Sequence, residues 1–288
     1  MINPLFLIGN KRSGTSQLVR VLNMHSRVFV SHESDISWIL YQFHCNQLFR
    51  GHFWDSDKGM RATLEKSGYL LHREATPMEN FLAVQMSVLE NGSPWLHAMK
   101  KTGLHWVGDK KPMQHTDPAV LKFLLQHLPG AHFLHIIRHP FEVVASSDRF
   151  NQTADGDFWL GLSAQEKVER WTFHEQQVLQ LRQTLPGRVY SLRYEDFCHR
   201  TEKELSGVFE FLRLKPDFHS LREAARQTHS LARAVPAIAC PSETRRIADI
   251  SGYDLRRRVS RLRALAENVC WRAAKGLRTG GGRASSRL

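Results

Sequence analysis

Near the start of the chain a run of four apolar residues, Leu5 to Ile8, stops at Gly9, and an apolar-periodic helix opens at Thr15 with Leu18, Val19, Val21 and Leu22. This strand, short loop and helix constrain the fold more than any other feature of the sequence. An unbroken apolar run is what a strand covered on both faces requires, and such strands belong to parallel sheets. The intervening loop, Gly9-Asn10-Lys11-Arg12-Ser13-Gly14-Thr15-Ser16, suits an anion: its backbone N–H groups turn inward, and the following helix adds positive partial charge at its N-terminus. Taken alone, the same stretch also reads as an ordinary strand-to-helix turn.

The rest of the chain continues the alternation. Val28–Val30, Phe133–Ile137 and Val189–Leu192 read as strands. Helices are expected at Ser34–Leu40, at Ala119–Leu128 (with Pro118 near its start and Pro129-Gly130 stopping it), from Pro140 to about Phe150, at Ala164–Leu185 and at Glu202–Leu212. Strands alternating with helices predict an α/β protein with a central parallel sheet flanked by helices. Residues 37–106 have helical tendency and are rich in aromatics (Trp38, Tyr41, Phe43, Phe49, Phe53, Trp54, Tyr69, Phe81, Trp95, Trp106), which are expected to build an acceptor pocket. Residues 1–254 are read as one domain. Residues 255–288 are read as an appendage: a basic amphipathic helix, Leu255–Arg278, running into a Gly/Ser/Arg-rich end that is expected to be disordered.

At 288 residues and 42% hydrophobic, the chain has the means to bury a sizeable core, and its composition is not that of a disordered protein. No stretch approaches the ~20 apolar residues of a membrane span, and Leu5–Ile8 is too short for a signal peptide's apolar core of roughly 7–15. A cytoplasmic protein is the expectation. Cys45, Cys198, Cys240 and Cys270 lie far apart, so they are read as free, buried thiols rather than a zinc site or disulfide framework. Of the net charge of +12, +10 falls in residues 200–288. That bias implies an anionic partner without choosing among nucleotide, acidic acceptor, nucleic acid and membrane surface.

The loop's spacing resembles the Walker pattern GxxxxGK[ST], yet Thr15 stands where the lysine belongs. A Walker loop also needs a metal-binding acid after a core strand, and Phe133–Ile137 ends instead in Arg138. The loop carries its cations, Lys11 and Arg12, ahead of the glycine, an arrangement for an anion that needs no magnesium. Arg138 sits at the sheet edge where parallel α/β folds bind ligands, and Ser146 follows two turns into the next helix. A guanidinium fork and a hydroxyl together suit one phosphate group. A structural ion pair capping the sheet is the plain alternative for Arg138.

Together these segments resemble the PAPS-dependent sulfotransferases, which use 3′-phosphoadenosine 5′-phosphosulfate (PAPS) as donor. Arg12-Ser13-Gly14-Thr15-Ser16 looks like the family's 5′-phosphosulfate loop, and Arg138 with Ser146 like its 3′-phosphate pair. Gly108-Asp109-Lys110-Lys111-Pro112 resembles the family's GDKTP stretch with Lys111 in place of threonine, and Arg193-Tyr194-Glu195-Asp196-Phe197 resembles its RYEDL segment. The matches run in family order over roughly residues 4–215, and the loop arginine is closer to tyrosylprotein and carbohydrate sulfotransferases than to cytosolic phenol enzymes. The resemblance implies a P-loop-like three-layer fold. It also implies sulfuryl transfer to a hydroxyl, with adenosine 3′,5′-bisphosphate (PAP) as the leaving product and no metal. Glu33 takes the place of the base, with His32 and Asp35 in reserve and His25 matching on the way. Lys110 and Arg12 are placed at the leaving oxygen, and Ser13, Gly14, Thr15, Ser16, Arg138, Ser146 and Tyr194 at the donor. Glu33 as a helix cap, Lys110 as an ion-pair partner of Asp109 or another surface acid, and Tyr194 as a core residue are the respective alternatives. The loop that closes over the 3′-phosphate has no clear match, Arg245 and Arg246 being candidates.

Two other functions compete with this one. A nucleotide-dependent kinase is disfavoured by the missing lysine and strand-end acid. A nucleic-acid-binding protein is disfavoured because the basic third lacks interleaved aromatics, so no specific nucleic acid is expected. The basic tail suits a solvated helix, or peripheral attraction to anionic surfaces.

Overall fold

The computed structural model describes residues 2–52, 57–92, 101–153, 159, 161–216, 238 and 240–255. Phe53, Trp54, Trp95 and Cys270 lie outside them, as does the expected basic helix and tail beyond Leu255.

Five strands form one parallel sheet: β1 (Asn3–Ile8), β2 (Val28–His32), β3 (Trp106–Lys110), β4 (His132–Ile137) and β5 (Val189–Arg193), in the order β2-β3-β1-β4-β5. The apolar run of β1 has its predicted reason. Leu5 and Leu7 face one layer, with Leu18, Leu22, Phe197 and Phe209, while Phe6 and Ile8 face the other, with Phe81, Phe123 and Phe133. A strand covered on both faces favours apolar side chains at successive positions.

Helix α1 (Thr15–Leu22) follows the loop. Then come α2 (Ile36–His44), α3 (Lys58–Ser67), α4 (Pro77–Glu90), α5 (Pro118–His127), α6 (Pro140–Phe150), α7 (Ala164–Thr184), α8 (Tyr194–His199), α9 (Thr201–Phe211) and α10 (Ser242–Ile250). Helices α1, α8 and α9 cover one face of the sheet, and α2, α4, α5 and α7 the other. This three-layer arrangement is the one expected from the sequence.

Strand β3 and helix α8 were not foreseen. In β3 the pattern Trp-Val-Gly-Asp-Lys carries two charged residues, both buried, so apolar periodicity cannot reveal it. Gly108 is there for a close approach: a Cβ at this position would lie 1.7 Å from the Leu5 carbonyl oxygen of β1. Among the described aromatics of the 37–106 segment several serve the core, while Phe49 and Tyr69 are exposed. Phe81 is fully buried, Trp38 and Tyr41 pack against the same layer, and Trp106 donates from Nε1 to the Leu212 carbonyl at 2.8 Å. Nor are all the described thiols buried: Cys198 is, Cys240 is half-buried, and Cys45 is exposed.

Candidate active site at the carboxyl edge of the sheet

In a parallel sheet every strand ends on the same edge. The chain leaves β1 for β2 on one side and crosses to β4 on the other only after β3, and a crevice at such a reversal is where α/β folds bind ligands. Arg12, Glu33, Arg138 and Tyr194 lie on segments that follow these strand ends, and Lys110 is the last residue of β3.

The loop after β1 turns tightly, with Ser13 N–H donating to the Asn10 carbonyl at 3.1 Å. Arg12 and Gly14 have left-handed backbones (φ 69° and 96°). Gly14 is the N-cap of α1 and offers no side-chain acceptor, and no acid stands in the first turn, so the helix presents its positive end to the loop. Asn10, buried beneath the loop, donates to Glu175 Oε1 on α7 at 2.7 Å, and Glu175 in turn meets His135 of β4 at 3.0 Å. Ser13 is buried, and its hydroxyl has no hydrogen-bond partner among the described residues.

Across from the loop, Arg138 is buried at the end of β4. Its Nη1 donates to the Arg12 carbonyl at 3.1 Å, its Nη2 to Glu142 at 2.9 Å, and its guanidinium lies 4.4 Å from the centre of the Tyr194 ring. Ser146, on α6, accepts from Arg12 Nε at 3.4 Å, while the Arg12 guanidinium lies 4.5 Å over the Phe150 ring. Arg12, Arg138 and Ser146 therefore stand in one cluster. Burial and the charge of Arg138 both lower the Arg12 pKa, against the opposing pull of Glu33 and Tyr194. Cations crowded in this way favour an anion between them.

Glu33 and Lys110 meet on the other side of β1. The Glu33 N–H donates to the Lys110 carbonyl at 2.9 Å, and Lys110 Nζ lies 2.5 Å from Glu33 Oε1. The lysine side chain is 1% exposed and the glutamate 41%, so the carboxylate is the open member of the pair and the ammonium the enclosed one. Burial pushes the Glu33 pKa upward, but Lys110 in contact, with Lys111 and His32 nearby, outweighs it and holds the carboxyl at about 2. Burial lowers the Lys110 pKa, and Glu33 works against that shift. His32 bonds Ser16 Oγ through Nε2 at 2.9 Å, and burial together with Lys110 holds its pKa at about 3, so the ring is neutral.

Two of the plain alternatives are present in the structure: Tyr194 is buried in the core layer of α1, α8 and α9, and Arg138 is ion-paired with Glu142. The N-cap of α2 is Asp35, not Glu33, and it makes no side-chain cap bond. The partner of Lys110 is Glu33 rather than Asp109, which instead accepts from the Ser31 and Ser34 hydroxyls at 2.7 and 3.0 Å. Asp35, the reserve base, is buried against Lys111 at 3.0 Å. The His25 ring bonds the Lys215 carbonyl and the Arg27 N–H, a structural use.

Tyr194 packs against the loop: a Cβ on Gly14 would come within 2.3 Å of its ring. Its neighbour Glu195 accepts from the His139 N–H at 3.2 Å and from the Tyr253 hydroxyl at 2.6 Å, which fixes the turn that carries Arg138. Glu142, Glu195, Tyr253, Asn10 and Glu175 support the site and were missed from the sequence: all but Glu142, which pairs with Arg138 four positions away, have partners far off in the chain. The late arginines belong to α10, where Arg246 is exposed and paired with Glu243 at 2.5 Å. Among the described residues no group of His, Cys, Asp and Glu could hold a metal ion, and no helix is long and apolar enough to cross a membrane.

The fold has relatives of known structure. A sulfotransferase domain from the curacin biosynthetic pathway is 20% identical, with a TM-score of 0.57 over 88% of this chain and 99% of that one. The sulfotransferase domain of the Synechococcus PCC 7002 olefin synthase is 21% identical, with a TM-score of 0.57 over 88% and 96%. A sulfotransferase from Alicyclobacillus acidocaldarius is 16% identical, with a TM-score of 0.54 over 89% and 98%. At such identities the likeness speaks for the fold. No curated protein sequence matches. The model of the sulfotransferase family matches residues 4–218, which hold all five strands and the loop, Arg138 and Glu33–Lys110 groups, and the chain belongs to that family.

Proposed function

We propose that this protein moves a sulfuryl group from PAPS to a hydroxyl of its acceptor and releases PAP. The observation that supports this best is the cluster of Arg12, Arg138 and Ser146 beside an unacidified helix N-terminus, with the Glu33–Lys110 pair across the end of β1. In this reading the cationic cluster binds the donor's phosphates. Ser13, Gly14, Thr15 and Ser16 surround the phosphosulfate, and Tyr194 braces the loop.

In the reaction, the bond from sulfur to the bridging oxygen breaks as the acceptor oxygen bonds to sulfur. Electron density collects on the bridging oxygen, where Arg12, Lys110 and the loop N–H groups stabilise it. The acceptor hydroxyl proton passes to Glu33. With its pKa near 2, Glu33 is ionised and ready to accept at neutral pH. It is a weak base on that account, so its effect comes from position as the acceptor proton acidifies in the transition state. The acceptor class we favour is carbohydrate, from the resemblance of the loop arginine, and the site of action we favour is the cytoplasm.

Calorimetric titration with PAP tests the donor assignment. Binding is expected, and Arg138→Ala should weaken it by about 10²-fold if the fork makes two charge-assisted hydrogen bonds to the 3′-phosphate. Unchanged affinity in that variant would remove Arg138 from the site. Incubation of the protein with PAPS and a cell extract, followed by mass spectrometry, should reveal a carbohydrate fraction that gains SO₃. Turnover of ATP with magnesium in place of this would overturn the reading.

A further inference from the structure

The lysine that breaks the family-like GDKTP pattern has a role in the site. We propose that Lys111 and Asp35 form a buried ion pair that positions Glu33 for catalysis. The inference rests on the sulfotransferase reading above and concerns the geometry of its base.

Strand β3 ends in two successive lysines, and each takes one carboxylate from the turn that follows β2: Lys110 meets Glu33, and Lys111 meets Asp35 at 3.0 Å. The second pair is sealed, with side chains 3% and 2% exposed. The other oxygen of Asp35 accepts from Gln114 Nε2 at 2.7 Å. Ser34, between the two acids, bonds Asp109 through its hydroxyl at 3.0 Å. Helix α3 closes over the turn at Gly59, where a Cβ would lie 2.3 Å from Asp35 Oδ2 and 2.6 Å from the Glu33 carbonyl oxygen.

All this holds a backbone that would not persist alone. Glu33 and Asp35 both have left-handed conformations, φ 57° and 55°, which non-glycine residues adopt only where their surroundings over-determine them. The turn leaves the Glu33 carboxylate open to solvent beside its enclosed lysine. A buried ion pair is a poor source of stability, since desolvation cancels much of its attraction. Its strength is orientation, because the sealed contact fixes both side chains beside the turn.

The charged groups that act on Asp35 are Lys111, from the turn after β3, and Asp109 of β3. Helices α3 and α4 bring Gly59 and Gln85 to the turn, neither charged. Burial raises the Asp35 pKa, and Lys111 and Gln114 limit the rise to about 6. Acidification through that value discharges the pair.

The test compares Lys111→Met, Asp35→Asn and the double variant, in which neither charge is buried alone. Asparagine keeps the left-handed preference at position 35. PAP affinity is read by calorimetry, and PAP release from PAPS is read with extract supplied as the acceptor source. Lys111→Met should keep PAP affinity while kcat falls by about 10²-fold, as for a reacting group moved by an ångström. The neutral pair should recover most of that loss. Wild-type kcat should fall as pH drops from 7 to 5, and the neutral pair should lose this limb, an effect that packing alone would not produce. Wild-type kcat in Lys111→Met overturns the inference, as does a double variant that binds PAP yet neither recovers turnover nor loses the acid limb. If Lys111→Met fails to fold, the double variant and its pH profile decide alone. A wild-type protein that neither binds PAP nor consumes PAPS defeats the sulfotransferase reading itself, and the inference with it.

Discussion

At the scale of single residues, the chemistry we propose falls to Glu33 and Lys110, and their assigned roles differ by environment. Lys110 is enclosed and Glu33 half-open, so the carboxylate is the member of the pair that an incoming hydroxyl meets. Glu33→Gln keeps the shape and removes the base. It should leave PAP affinity nearly unchanged while lowering kcat by about 10²–10⁴-fold, the usual worth of a positioned base. Steady-state kinetics beside calorimetry would check this, and near-normal turnover would exclude Glu33. The sequence brought both residues forward only through the family resemblance. Nothing in the string Ser31-His32-Glu33-Ser34-Asp35 says which acid is left open. The answer depends on two left-handed residues and on a lysine 77 positions away.

Among the elements, the strand-loop-helix unit at the N-terminus was legible because its logic is local: an apolar run, a glycine-bounded turn and a helix start are neighbours in the chain. Strand β3 was not, since its burial of Asp109 and Lys110 makes sense only once Ser31, Ser34 and Glu33 stand beside it. The same limit hid the brace that Tyr194 and Glu195 form behind the loop and Arg138. That brace can be tested at Gly14. Alanine there must hold φ 96° and push its Cβ into the Tyr194 ring. Strain of this kind costs about 1–3 kcal/mol, so Tm should fall by several degrees. PAP affinity should also fall, because the displaced ring lies against the Arg138 guanidinium. Thermal unfolding with and without PAP separates the two effects. A variant with wild-type Tm and PAP affinity would show that the ring has room to move.

For the whole molecule, the strand order brings segments from residues 12, 33, 110 and 138 to one edge, and it also buries ionisable groups whose demands differ with pH. On α7, burial alone would raise the Glu175 pKa, but His135 and His174 beside it hold it at about 2, below its ordinary 4.5. The folded state then binds fewer protons at this site than the unfolded chain, so its stabilisation is complete above about 4.5 and is lost as pH falls toward 2. Asp35 is the reverse case: its folded pKa of about 6 exceeds the ordinary 3.8. Its contribution is complete below about 3.8 and is lost as pH rises through 6. Acidification from pH 7 to 5 should therefore favour the fold at Asp35 while it discharges the pair that orients Glu33. The Tm of wild type, measured against Asp35→Asn, should gain over this interval while kcat declines. Between pH 5 and 3, Glu175→Gln should lose less Tm than wild type. Stability and turnover moving in opposite directions across one titration is what a catalytic turn held at the expense of the fold requires. If both instead fell together between pH 7 and 5, the Asp35–Lys111 pair would be supporting the fold rather than aiming its base.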